Sequence, residues 1–286
     1  MGLREEGTLI FCPACGEKIP FFVIIEPREV FDGALRLKYA VILADGMADY
    51  PIPELGGLTP LAYARTPHMD RLAAQGIVGQ VKTIPDGFPP GSDVANLAVL
   101  GYDPRECYTG RAPLEAASMG VTLGPEDVAF RCNLVTLSAD EPYAAKVMLD
   151  YSAGEISTAE ARELIRAVQE RLGSVELSFY PGVSYRHLMV WHSGPRDVIL
   201  TPPHDITGRV VGEYLPRGEG GEVLRRLMEE SARLLPEEAV NRRRAAEGKR
   251  LANSLWFWGQ GRRPHLPLFR EKWGFAGSVI AAVDLI

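Results

Sequence analysis

Cysteine is scarce in this chain of 286 residues, with only Cys12, Cys15, Cys107 and Cys132. So thin a supply fits a reducing compartment better than a disulfide framework. Basic patches are missing as well. Lys and Arg number 31 against 37 Asp and Glu, a net charge of −6 that leaves no footprint for nucleic acid. The longest apolar runs, Tyr39 to Ala44 and Ser278 to Ile286, fall far short of a bilayer's width. No basic, then apolar, then small-residue signal opens the sequence, which predicts a cytoplasmic protein with no membrane partner. What is plentiful is core material. At 46% hydrophobic, the chain can fill one large domain or two ordinary ones.

Residues 1–36 differ in texture from the rest and read as an N-terminal appendage. Cys12-Pro13-Ala14-Cys15-Gly16 is half of a zinc knuckle, so Cys12 and Cys15 are candidates for a structural zinc shared between two chains. The alternatives are a peripheral segment without chemistry or a start codon assigned too early. From Lys38 the pattern becomes regular. Tyr39 to Ala44 has the continuous apolar character of a strand buried on both faces in a parallel sheet. It ends at Asp45, where open α/β sheets place their ligands; the same carboxylate also reads as a loop cap. Thr66-Pro67 opens a helix that Gly76 closes, with Met69, Leu72 and Ala73 as its apolar stripe. Val78 to Ile84 reads as a second strand.

That strand leads into Phe88-Pro89-Pro90-Gly91-Ser92-Asp93, a forced turn, followed by a short apolar helix from Val94 to Leu100. Ser92 therefore stands at a helix start. Two uses compete there: Ser92 or Asp93 as an N-cap, or Ser92 as the carrier of a phosphate favoured by the helix dipole. After about Thr122 the pattern alternates in the manner of half-buried strands, at Val128 to Leu137, Tyr143 to Leu149, Val175 to Tyr180 and Tyr185 to Trp191. Between them Ser157-Thr158-Ala159-Glu160 is a capping box for a helix with Ala161, Leu164, Ile165 and Val168 on one face. Helices over Gly221 to Leu235 and Pro236 to Trp256 follow, with Arg242, Arg243 and Arg244 as a solvated face. Ser278 to Ile286 reads as a further core strand.

Several stretches then fall into register with one known family. They are Ala44-Asp45-Gly46-Met47-Ala48-Asp49, Gly91 to Leu97, Leu100 to Pro104, Thr109-Gly110-Arg111 to Ala116, Arg131 to Leu134, Tyr185-Arg186-His187, Pro203 to Gly208 and Trp258-Gly259-Gln260-Gly261. In this order the chain from about Lys38 onward resembles the archaeal-type cofactor-independent phosphoglycerate mutases of the alkaline phosphatase superfamily. Relatives labelled as proposed homoserine kinases share the tryptophan-glycine-glutamine-glycine stretch.

The resemblance implies an α/β fold with a phosphatase-like parallel core, incomplete at the C-terminus, and an inserted α+β domain. It divides the chain into an appendage (1–36), the first part of the core (37–122), the inserted substrate or lid domain (123–255) and a truncated return to the core (256–286). It implies interconversion of 2- and 3-phosphoglycerate through a phosphoserine, with two divalent metals such as manganese or zinc. Ser92 would be nucleophile and metal ligand, and Asp45 a ligand of the same metal. Arg131, Arg186, His187, His204 and Asp205 would bind substrate, although His204 and Asp205 read equally well as a turn that orders their loop. Family members carry further aspartate and histidine ligands in a C-terminal part for which this sequence has no counterpart. The chain is therefore expected to be an inactive fragment prone to self-association through an uncovered core. The competing readings are a related phosphotransferase, such as a homoserine kinase, and a degenerate, non-enzymatic relative that binds a phospho-acid or a partner.

Overall fold

The computed structural model describes residues 8–11, 28–31, 34–37, 39–44, 46–88, 90–274 and 276–280. The chain divides into two compact units, Met1–Val99 and Leu100–Ile286. Cys12, Cys15 and Asp45 lie outside the described residues.

In the first unit, β1 (Thr8–Phe11) pairs in parallel with β4 (Ile77–Gln80), and β2 (Arg28–Phe31) pairs antiparallel with β3 (Ala34–Leu37). Between them lie α1 (Pro60–Tyr63) and α2 (Pro67–Gln75). Proline at the first helical position starts each helix, its fixed φ and missing N–H costing nothing there. Met69 and Ala73 of α2 pack with Ala44 and Met47. Two strand expectations change. Tyr39 to Ala44 has no strand pairing, and Tyr39, Val41 and Ile42 stay about half exposed. An apolar run becomes a strand only where a ladder partner receives it, and none does so among the described residues. The second strand stops at Gln80, so Val81 to Ile84 belongs to the approach to the turn before α3 (Ser92–Val99).

The second unit opens with α4 (Pro104–Cys107) and α5 (Arg111–Ser118). It is built on an antiparallel sheet whose central strand is β5 (Val128–Leu137), buried at every position. One edge of β5 takes β8 (Arg186–Trp191), which in turn takes β7 (Leu177–Tyr180). The short β6 (Met148–Asp150) pairs only with the end of β5, and β9 (Ser254–Arg262) takes its other edge.

The capping box forms as read, and α6 (Thr158–Leu172) follows it, with α7 (Gly221–Leu234) and α8 (Ala239–Ala246) later in the chain. Leu164, Ile165 and Val168 of α6 and Leu224, Leu227 and Met228 of α7 share one core with Phe130, Phe179, Met189 and Phe257. Full burial of each such side chain contributes about 1.5–3 kcal/mol. The last helix, α9 (Phe269–Trp273), is tied back by the Trp273 indole N–H, which donates to the Leu100 carbonyl at 3.1 Å.

The stretch 236–256 is not one helix. It breaks after Ala246, and Trp256 enters β9, where its ring is buried and its N–H donates to the Thr201 carbonyl. Nor is Arg244 solvated. It is buried, pairs with Glu160 at 3.1 Å and donates to the carbonyls of Ala153 and Arg250. At the other end of the sequence, Ser278 to Ile280 has no regular structure, and residues 281–286 are outside the described set. The described fold is thus mixed α/β with an antiparallel principal sheet.

Candidate functional site

Ser92 occupies the first position of α3 rather than its cap. The Gly91 carbonyl accepts the Ala95 N–H at 3.0 Å, so Gly91 holds the cap place. The Asp93 carboxylate folds back over Gly91 so closely that a Cβ there would collide with it. A larger residue there would push the Asp93 carboxylate aside. Ser92 is half-buried at the positive end of the helix.

The second unit gathers charge around one indole. Arg131 of β5 and Trp258 of β9 are cross-strand partners, and the Arg131 guanidinium lies 4.1 Å from the Trp258 ring centroid. Arg111, at the start of α5, approaches the same ring at 5.6 Å. Glu115, one helical turn along, accepts the Nε–H of both, from Arg111 at 3.1 Å and from Arg131 at 2.8 Å. Arg131 is 3% exposed. Burial pulls its pKa down to about 10, Arg111 adds to the fall and Glu115 opposes it, so Arg131 stays charged at neutral pH.

Two glycines make the convergence possible. A Cβ on Gly110 would collide with the Gln260 carbonyl, and one on Gly261 with the Thr109 carbonyl. The start of α5 therefore lies backbone to backbone against β9, which carries Arg111 to Trp258.

Trp258 is fixed in turn by its indole N–H, donated to Asn133 at 3.0 Å, and Asn133 donates to the Tyr151 carbonyl. Tyr151 stands edge-on to Tyr185, and the Arg186 guanidinium lies 5.5 Å from the Tyr185 ring centroid. Burial raises the Tyr185 pKa, and the nearby Arg186 and Arg131 work against the rise. The Nε of Arg186 is buried without a hydrogen-bond partner. His204 meets Trp258 edge-on at 5.1 Å. Burial lowers its pKa, Asp205 opposes, and Arg131 and Arg111 reinforce the fall, so it is neutral at pH 7. The Asp205 carboxylate lies 3.7 Å from His204 Nε2, too far for a hydrogen bond.

Of the residues expected to bind substrate, Arg131, Arg186 and His204 come together here, with Asp205 beside His204. His187 does not join them. It pairs across the sheet with Cys132 and faces the opposite side, 2% exposed. Sequence reading missed Arg111, Glu115, Tyr151, Tyr185 and Trp258 as members of the site. The signal was present in Thr109-Gly110-Arg111 and Trp258-Gly259-Gln260-Gly261, where glycine beside arginine or tryptophan marks a close backbone approach. Among the described residues, no group of three or more His, Cys, Asp and Glu side chains is placed to hold a metal ion.

Two guanidinium groups, Arg111 and Arg131, thus share the Trp258 ring and the Glu115 carboxylate, and a third, Arg186, lies on Tyr185. Such planar forks suit carboxylates and phosphates. The sequence comparisons name the family. The profile described as 2,3-bisphosphoglycerate-independent phosphoglycerate mutase matches residues 73–241, and the chain belongs to that family.

Among curated relatives, a probable enzyme of this description from Geobacter sulfurreducens is 58% identical over 87% of this chain. One from Methanosarcina barkeri is 55% identical over the same share. The chain spans 62% of the length of each of these relatives. A solved protein from Pyrococcus horikoshii aligns with 84% of this chain and 56% of its own, at 32% identity and a TM-score of 0.60.

Proposed function

We propose that the chain is part of a phosphoglycerate mutase that interconverts 2- and 3-phosphoglycerate through a phosphoserine at Ser92. The observation that carries this reading is the Arg111–Glu115–Arg131 cluster on Trp258, with Arg186 beside it. Glu115 accepts the Nε–H of both arginines and fixes the orientation of their guanidinium planes. A phosphoglycerate offers two anions, a carboxylate and a phosphate, and planar guanidinium forks suit both.

Ser92 Oγ attacks phosphorus, the bond from phosphorus to the glycerate oxygen breaks, and the serine proton ends on that oxygen. Glycerate then reorients. Its other hydroxyl attacks the phosphoserine, the bond from phosphorus to Ser92 Oγ breaks, and the attacking hydroxyl's proton ends on Ser92. His204, neutral and set against Trp258, borders the anion as a hydrogen-bonding group. Asp205 is a candidate substrate contact beside it. The relatives' names favour the mutase over the kinase reading.

Two divalent metals, manganese or zinc, belong to this proposal through Asp45 and Ser92. Asp45 and Ser92 would supply ligands, and the metals would lower the pKa of the serine hydroxyl and offset charge on the transferring oxygens. A phosphatase-like parallel core around Ser92, a substrate domain over 123–255 and a cytoplasmic setting complete the proposal. No helix among the described residues is long and apolar enough to cross a membrane. The apolar stretch that begins at Val279 and Ile280, both largely exposed, is the candidate surface for self-association.

The test is the phosphoenzyme. In the full-length protein, brief incubation with 3-phosphoglycerate should leave a phosphate on residue 92 by peptide mass spectrometry. Ser92→Ala should lose that mark and at least about a thousandfold of mutase activity with its fold intact. Phosphate on another residue, or retained turnover, would remove Ser92 as nucleophile.

A further inference from the structure

His187 is a costly choice for the place it fills. It is buried opposite Cys132 in the β5–β8 ladder, and its Nδ1 accepts the Gly182 N–H at 3.0 Å. That bond assigns the tautomer: the proton of the neutral ring sits on Nε2, which is buried with no partner. Burial drives the ring's pKa down to about 3, so Nδ1 remains an acceptor throughout the physiological range. For packing alone, phenylalanine would fill the space without a stranded N–H. The use of histidine therefore lies in what Nδ1 holds.

What it holds is the turn between β7 and β8. A Cβ on Gly182 would collide with the Arg186 carbonyl, so the turn is closed tightly there. Ser184 is left-handed, at φ 54°, with its N–H on Thr158 Oγ1 at 3.0 Å and its hydroxyl on the Ile156 carbonyl at 2.7 Å. The Arg186 N–H donates to the Val183 carbonyl at 3.1 Å, and the Tyr185 carbonyl accepts from Leu134 at 2.9 Å. This turn delivers Tyr185 and Arg186 to the charged side of the sheet.

We infer that His187 is a positioning residue: from the far side of the sheet it holds the Gly182 N–H and so fixes the turn that aims Tyr185 and Arg186 at the bound anion. The inference rests on the reading that phosphoglycerate binds at Arg186, and it replaces direct contact between His187 and substrate with support from behind.

Two substitutions separate this role from core filling. His187→Asn puts an amide oxygen where Nδ1 stands but shrinks the side chain. His187→Phe keeps the ring and removes the acceptor. In the full chain, calorimetric titration with 3-phosphoglycerate should show H187F binding roughly fivefold or more weakly, the loss of about one hydrogen bond. H187N should bind within about twofold of the parent. Thermal unfolding should rank them the other way, with H187F at least as stable as H187N. Affinity that follows stability instead would overturn the inference.

Hydrogen exchange without ligand gives a second readout. The Gly182, Ser184 and Arg186 amides should exchange faster in H187F than in H187N, and equal rates would also overturn it. Arg186→Ala separates the premise from the inference. If that variant binds 3-phosphoglycerate as the parent does, the substrate reading fails and the exchange rates alone decide the role of His187. If it loses binding while H187F does not, only the positioning role fails.

Discussion

The two faces of the β5–β8 pair differ as a core differs from a site, although they share every backbone atom. On one, Phe130, Cys132, His187 and Met189 pack beneath α6 and α7 with no formal charge. On the other, Arg131 and Asn133 contact Trp258, Arg131 pairs with Glu115, and Arg186 lies against Tyr185. Successive strand residues point to opposite sides, so one register gives an uncharged face and a face where charge sits beside a second core of Ala129, Leu188 and Val190 against Ala112 and Ala116. Neighbours such as Arg186 and His187 then answer to different selections.

That division can be broken from either side. The largest effect is expected from Phe130→Ala, which opens a cavity on the uncharged face. It should destabilise the protein by about 3–5 kcal/mol, read from the midpoint of urea unfolding. A loss below about 1 kcal/mol would mean that this face is not the structural one.

Next comes Glu115→Gln on the charged face. It leaves the buried Arg131 without its counter-ion and should cost about 2 kcal/mol, less than a fully buried pair would lose, because Glu115 keeps some contact with water. The double variant with Arg131→Met should recover part of that loss in the same unfolding assay. A larger, additive loss would show that the pair is not coupled.

The smallest effect concerns acid. Burial works to raise the Glu160 pKa, but hydrogen bonds from Ser157 and the Arg244 charge outweigh it, and the folded value lies below the usual one. Its stabilisation is therefore complete above the unfolded-state value of about 4.3 and is lost as pH falls through the lower folded value. Glu160→Gln should flatten the acid limb of the stability profile below about pH 4 and leave the neutral region nearly parallel to the parent. An unchanged acid limb would assign acid sensitivity to other carboxylates, of which Asp127 and Asp150 are also held below their usual range.

Much of this arrangement was legible before any coordinates. The bounds of β5 and the capping box of α6 follow from period and spacing, which are local properties. The opposition of Arg186 and His187 was legible too, since adjacent strand residues cannot share a face. Tyr39 to Ala44 could not be settled that way, because a strand needs a partner and periodicity says nothing about partners. The burial of Arg244 was equally hidden. Its role depends on the carbonyls of Ala153 and Arg250, which no helical pattern reveals. The candidate site was half readable, as arginines in family-like stretches. The shared carboxylate and the indole between the arginines required the register of β9 against β5.

The contact of Gly110 and Gly261 with the chain opposite has a practical consequence. A methyl group at either position would pry the start of α5 away from β9, lengthening the reach from Arg111 to the indole without altering any group that meets a ligand. The distance from Arg111 to the Trp258 ring is thus set by two hydrogen atoms, one on each of these glycines.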